Sequence, residues 1–203
     1  MRPTAHFLTA VVLVFSVSPL TAQNPQTDRL AMGQLIKSLG DGTQRDAALS
    51  QLWDIGTPAV PAIIAGWSDP AASVRKNSLL LAFSLFTLHP QVMADFPRYA
   101  PALQAAVPTL MERFAEEEEI RTTTVGVAEA IVALGSWDGR EMGFAVIQEL
   151  VKRLNDPDES IRAGVSTTLG GLFGRVTPEV PLEALVAKLN DRNPSVRAGV
   201  ASA

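Results

Sequence analysis

Two stretches decide how this chain folds: Asn-Asp-Pro-Asp-Glu-Ser-Ile-Arg-Ala-Gly-Val at 155–165 and Asn-Asp-Arg-Asn-Pro-Ser-Val-Arg-Ala-Gly-Val at 190–200. They share Arg-Ala-Gly-Val letter for letter. Each places an Asp six residues before its Arg (Asp156/Arg162 and Asp191/Arg197). A third copy, at 68–78, has the same spacing in Asp69 and Arg75. A fourth keeps Ile120-Arg121 but replaces the Asp with the run Glu116–Glu119. In all four, Val or Ile precedes the Arg. A weaker copy at 39–52 carries Asp41 and Arg45. The arginines 75, 121, 162 and 197 are 46, 41 and 35 residues apart, a period that indicates stacked structural units.

A second landmark keeps step with the first. Ala-Val-Pro occurs at 59–61 and 106–108, Glu-Val-Pro at 179–181, and Ala145-Val146-Ile147 holds the matching place in the fourth unit. Each lies about one helix length before its Arg. Ile147, Leu150, Val151 and Leu154 fall at i, i+3, i+4 and i+7, one apolar stripe of a helix. Ile161 with Val165, and Val196 with Val200, repeat at i+4. Proline is tolerated in a first helical turn, so Asp69-Pro70 and Asn193-Pro194 read as helix starts. Gly40, Gly56 and Gly135 suit helix ends. No run of period-two strands occurs. The expected elements are paired helices: 27–39 with 43–55, 58–67 with 71–88, 101–115 with 117–135, 140–154 with 158–173, and 178–189 with 193–203. A single such pair cannot bury its stripes, whereas a stack can. The fold class is therefore all-α, an α-solenoid of about five helical hairpins.

Residues 1–22 stand apart. Arg2 precedes an 11-residue apolar run, Phe7–Val17, followed by Pro19 and the small residues Thr21 and Ala22. This is the form of a secretory signal peptide, with cleavage expected after Ala22. The run is too short to cross a ~30 Å hydrocarbon core as a helix. The expected domains are thus a leader at 1–22 and a repeat domain at 23–203, with no membrane span after cleavage and a periplasmic or secreted location.

The repeat units resemble HEAT repeats, in particular the short HEAT-like repeats of the phycobilin-lyase type. The match rests on the Asp-to-Arg spacing and the Pro before each first helix, and it covers essentially all of 27–203. The resemblance implies that Asp69, Arg75, Arg121, Asp156, Arg162, Asp191 and Arg197 form a structural ladder along the interhelical turns. It also implies that the second helix of each pair lines the concave side. It carries little about function, because such folds serve many tasks.

Composition narrows the chemistry. There are no cysteines and two histidines among 203 residues, and the formal charge is −4. Without cysteine there is no disulfide, thiolate metal site or thiol nucleophile. After leader removal His89 is the sole histidine, and no G-x-S-x-G elbow or Walker loop occurs. Leu169-Gly-Gly-Leu-Phe-Gly174 lacks the Lys-Ser/Thr of a phosphate loop. The Glu116–Glu119 run reads as a solvated helix start, which suits the helix dipole, with calcium binding as the alternative. No cofactor and no metal is expected. Trp53 and Trp67 fall on core stripes. Trp137, in the turn-like Gly-Ser-Trp-Asp-Gly at 135–139, is a candidate partner contact. So are Phe96, Arg98 and Tyr99 in the long interruption 89–101. The last helix is shorter than its siblings and its apolar side has no following repeat. A longer gene product, a covering partner and fraying are the three readings of that end.

The expected function is an exported scaffold without catalytic activity that binds a protein partner. One alternative is a chromophore lyase or isomerase of the HEAT type. The other is a nucleic-acid-binding HEAT protein, which the acidic balance opposes.

Overall fold

The computed structural model describes residues 25–138, 140–172 and 182–202, all in helices and the turns between them. The leader at 1–22 and the Glu-Val-Pro landmark at 179–181 lie outside the described residues. Eleven α-helices occur among those described: α1 (Pro25–Ser38), α2 (Arg45–Ile55), α3 (Val60–Ala65), α4 (Ala72–Leu88), α5 (Pro90–Ala94), α6 (Phe96–Glu112), α7 (Glu118–Asp138), α8 (Arg140–Arg153), α9 (Glu159–Leu172), α10 (Leu182–Val186) and α11 (Pro194–Ala201). Short 3-10 turns extend the first helix of a pair in three places, at Gly66–Ser68, Arg113–Ala115 and Ala187–Asn190. No strand occurs among the described residues.

The helices form two rows. The first helices α1, α3, α6 and α8 lie side by side, and the second helices α4, α7, α9 and α11 form the other row, with α2 against α4. Apolar side chains between the rows make one continuous core, from Ile36 and Leu39 through Trp67, Leu85, Leu110, Phe114 and Ile131 to Leu169 and Val200. Trp67 is fully buried, and Trp53 packs at the core edge, its ring 5.1 Å from that of His89. His89 caps α5, its Nδ1 accepting the Val92 N–H at 3.3 Å.

The interruption expected at 89–101 is instead helical. α5 and α6 fill it, and α6 runs through Pro101 and Pro108. Each internal proline removes one i→i−4 hydrogen bond. Burial of Phe96, Tyr99, Leu103, Val107, Leu110 and Met111 along one face offsets that loss. Ala-Val-Pro at 106–108 therefore lies within a helix rather than starting one.

At the C-terminal end the second helices approach closely. A Cβ on Gly199 would lie 2.6 Å from Ser166 Oγ and 2.8 Å from the Ser166 carbonyl carbon. Only glycine fits there. The small residues of α9 thus serve packing against α11.

Candidate functional site

The interhelical turns bring the recurring acids and arginines together. In each Asp turn one carboxylate oxygen accepts the backbone N–H two residues on: Asp41 from Thr43 (2.8 Å), Asp69 from Ala71 (3.0 Å), Asp156 from Asp158 (3.0 Å) and Asp191 from Asn193 (2.9 Å). Arg162 donates from Nη1 to the carbonyls of Asp156 and Pro157, at 2.9 and 3.2 Å. Its Nε and Nη2 reach the Asp191 carboxylate of the next turn, at 3.1 and 3.3 Å. Arg75 does the same, with Nη1 on the carbonyls of Asp69 and Pro70 and its fork on Glu116 of the next turn, at 2.6–3.1 Å. A guanidinium has five N–H groups in a rigid plane, so one side chain can close its own turn and grip the neighbouring one.

Two arginines depart from this arrangement. Arg121 pairs with Glu118 in its own helix, while Asp156 takes Arg153 of its own unit at 2.9 Å. Arg197 donates to the carbonyls of Asp191 and Arg192, at 2.9 and 3.1 Å, and no carboxylate lies on it among the described residues. The first junction uses a lysine, Lys37 on Asp69 at 2.5 Å.

Electrostatics follow this geometry. The Asn193 N–H and the Arg162 fork, working against partial burial, hold the Asp191 carboxyl below the usual range. The hydrogen bond to Asp156, then that to Glu149, pushes the Arg153 guanidinium above its ordinary value. Glu116 is not a solvated helix start. Its side chain is largely buried between Arg75 and Arg113, and only from Glu118 onward does the acidic run open α7.

The expected contact residues fall differently. Phe96 and Tyr99 are buried, not displayed. Tyr99 stacks on Phe86 and meets Phe96 edge-on, and its hydroxyl donates to the Val92 carbonyl at 2.9 Å. The helical period of α6 turns both rings into the core, and burial pushes the Tyr99 phenol well up. Arg98 alone of this group is exposed, 3.4 Å from Asp95. Trp137 is not in a turn: α7 continues through it to Asp138, and its side chain lies outside the described residues.

A groove not singled out in the sequence crosses three successive units. Its volume is about 420 Å³. α7 supplies Glu118, Arg121, Thr122 and Val125; α9 supplies Glu159, Ser160, Ala163, Gly164 and Thr167; the start of α11 supplies Asn193 and Ser195. Gly164 lets α9 close on the core beneath the groove, because the buried Phe114 packs where its Cβ would stand. Thr122 and Thr167 donate to the helix carbonyls of Glu118 and Ala163, so their oxygens face outward as acceptors. The Asn193 carboxamide oxygen takes the Ser195 N–H, which leaves its NH2 group as a donor. Arg121 is a second donor. The groove thus carries donors on α7 and α11 and acceptors on α7 and α9. The signal in the sequence was the i+4 series 159, 163, 167 on the solvent side of α9, where small residues leave room.

Among the described residues no group of three or more His, Asp or Glu is arranged to hold a metal, and no helix is long and apolar enough to cross a membrane.

No family model matches the chain. A deoxyhypusine hydroxylase from Phaeosphaeria nodorum is 29% identical over 166 residues, which cover 76% of this chain and 44% of that protein. The chain therefore spans less than half the length of this relative. The complex of CpcE and CpcF of phycocyanin lyase from Nostoc sp. PCC7120 shares the fold, with a TM-score of 0.54 at 19% identity, over 85% of this chain and 96% of that one. A computationally designed armadillo repeat protein for modular peptide recognition aligns with a TM-score of 0.46 at 17% identity, over 84% and 79% of the two chains. The hairpins of this chain are HEAT-like repeats in an α-solenoid.

These findings correct one expectation. The reading of the chain as devoid of catalytic activity is overturned by a relative named for an enzyme. The physical reason lies in what composition excludes. Lack of cysteine and scarcity of histidine remove thiol and multi-histidine chemistry, but the groove still offers carboxylates, hydroxyls and a guanidinium.

Proposed function

We propose that this HEAT-like solenoid takes part in an enzymatic step on another protein, holding an extended segment of it in the groove across α7, α9 and α11. The observation that carries the reading is a groove over three units that offers both hydrogen-bond donors and acceptors. An extended backbone presents N–H and C=O groups in alternation and needs such partners when it leaves water. Glu118 and Glu159 at the rim favour a segment with basic side chains and disfavour a phosphate backbone. Enzymatic involvement rests on the hydroxylase likeness and follows the lyase-type alternative above. Chromophore chemistry is the version of it that the lyase fold brings to mind.

The test is binding to an immobilised library of basic peptides, read for the wild type and for Thr167→Trp, which fills the groove. The reading predicts bound peptides with the wild type and none with the variant at an unchanged melting temperature. Equal binding by both would overturn it. Adding a linear tetrapyrrole and following its absorbance separates the chromophore version: a band shift in the wild type alone places the chromophore in the same groove.

The leader at 1–22 makes this an exported protein in our reading. Mass spectrometry of the protein from an exporting host should find Gln23 as the first residue. An intact N-terminus at Met1 would overturn export.

A further inference from the structure

One arginine of the ladder is released from the turns. Arg75, Arg162 and Arg197 each follow their turn Asp by six residues, whereas Arg121 follows Glu116 by five. Glu116 holds the place of Asp69 and Asp191, since each of the three directly follows a 3-10 turn. The turn before α7 is therefore one residue shorter, and it lacks the Pro that follows Asp69 and Asp156. Arg75, Arg162 and Arg197 each lay Nη1 on two successive main-chain carbonyls of their own turn. The Arg121 side chain holds no such carbonyl among the described residues. It pairs there only with Glu118, whose own side chain is 81% exposed.

The next turn makes no demand on Arg121 either. By the pattern of Arg75 on Glu116 and Arg162 on Asp191, it would grip Asp156. Both Asp156 oxygens are already engaged, one by the Asp158 N–H and the other by Arg153 of α8. Arg121 instead lines the groove across α7, α9 and α11. Its guanidinium keeps most of its five N–H groups for a ligand. Exposed Glu118 and Glu159 line the same groove and oppose an anion, which leaves a neutral oxygen as the acceptor that fits. A main-chain carbonyl is such an oxygen, and it is what the sibling arginines hold.

We infer that Arg121 binds the main chain of the segment in the groove, donating to one or two successive carbonyls as Arg75 and Arg162 do to their own turns. The inference rests on the groove reading above and names its mode of recognition. The segment is held by its backbone at Arg121, while its basic side chains answer Glu118 and Glu159. Releasing Arg121 leaves no carboxylate unpaired at Asp156, because Arg153 covers it. The ladder position with the shortened turn is thus the one given over to binding.

Fluorescence anisotropy with a labelled peptide of alternating lysine and alanine tests this. Arg121→Ala should weaken binding about tenfold or more, since hydrogen bonds from a charged donor are lost. The sign is diagnostic. Were Arg121 only a charge, its removal would tighten binding of a basic peptide. The melting temperature should stay within about 3 °C, because the variant gives up only an exposed ion pair. Replacing peptide bonds of the probe one at a time by esters weakens single carbonyl acceptors. At one or two adjacent positions the ester should cost the wild type about tenfold and Arg121→Ala nothing. Unchanged or tighter binding by Arg121→Ala, with Thr167→Trp still abolishing it, overturns this inference and leaves the groove reading standing. Ester losses equal in both proteins overturn it too, as does a fall in melting temperature as large as that of Arg162→Ala. Binding that survives Thr167→Trp, or a wild type that does not bind the peptide, removes the groove reading and this inference with it.

Discussion

Arg162 and Arg197 head the same four-letter sequence, Arg-Ala-Gly-Val, yet the structure predicts very different costs for removing them. Arg162 is 5% exposed and makes four hydrogen bonds, two to the carbonyls of its own turn and two to the Asp191 carboxylate. Arg162→Ala leaves a nearly buried carboxylate with only Lys188, 4.0 Å away, as its cation, and two carbonyls without a donor. Removing one partner of a buried pair costs ~3–5 kcal/mol, and the remaining Asn193 N–H and Lys188 ammonium on Asp191 set the value near the lower end, about 3 kcal/mol. In a domain of this size each kcal/mol moves Tm by ~2–4 °C, so Tm should fall by about 6–12 °C. Arg197 is exposed and holds only two carbonyls that water can also reach. Arg197→Ala should cost about 1 kcal/mol or less. The assay is urea unfolding followed by far-UV circular dichroism at neutral pH. Equal losses for the two variants would refute the reasoning, because the motif alone would then set the energy and the grip on the next turn would contribute nothing.

Three further outcomes follow from named contacts. Gly199→Ala should destabilise by ~1–3 kcal/mol, because its Cβ would enter Ser166, whereas Gly33→Ala, mid-helix with nothing within 4 Å, should be neutral or stabilise by up to ~1 kcal/mol; paired thermal melts decide. Tyr99→Phe should cost ~1 kcal/mol by leaving the Val92 carbonyl without its donor, and an unchanged melt would count against that bond. Asp191 titrates below its ordinary value when folded, so its contribution is full above the unfolded value of about 3.9 and is lost as pH falls through the folded one. The stability gap between wild type and Asp191→Asn should therefore hold steady from neutral to mildly acidic pH and shrink below about pH 4; a gap that widens on acidification would contradict the sign.

The helical pairs were legible because their signals are local. Asp and Arg at fixed spacing, Pro near helix starts and i, i+3, i+4 stripes recur in each unit, and the described helices follow them closely. What was not legible depends on contacts between units. Glu116 reads as one of four equal glutamates, but it alone sits between Arg75 and Arg113. Phe96 and Tyr99 read as loop aromatics beside prolines, because Pro97 and Pro101 look like interruptions. Burial of the whole α6 face outweighs the two hydrogen bonds that the internal prolines Pro101 and Pro108 remove. The groove was hidden for the same reason. Thr122, Thr167 and Asn193 belong to three units, and only stacking sets them side by side. Composition spoke to the absence of particular chemistries, and reading that as an absence of catalysis went further than cysteine and histidine counts allow.

The central claim is that the groove across α7, α9 and α11 holds a segment of another protein. Amide chemical-shift mapping during titration with a basic peptide selected from the library measures this most directly. The account predicts that the perturbed amides cluster at 118–125, 159–167 and 193–195, and that Thr167→Trp abolishes the shifts. Perturbations confined to the outer face of α8, or an unperturbed groove with a bound peptide, would contradict it.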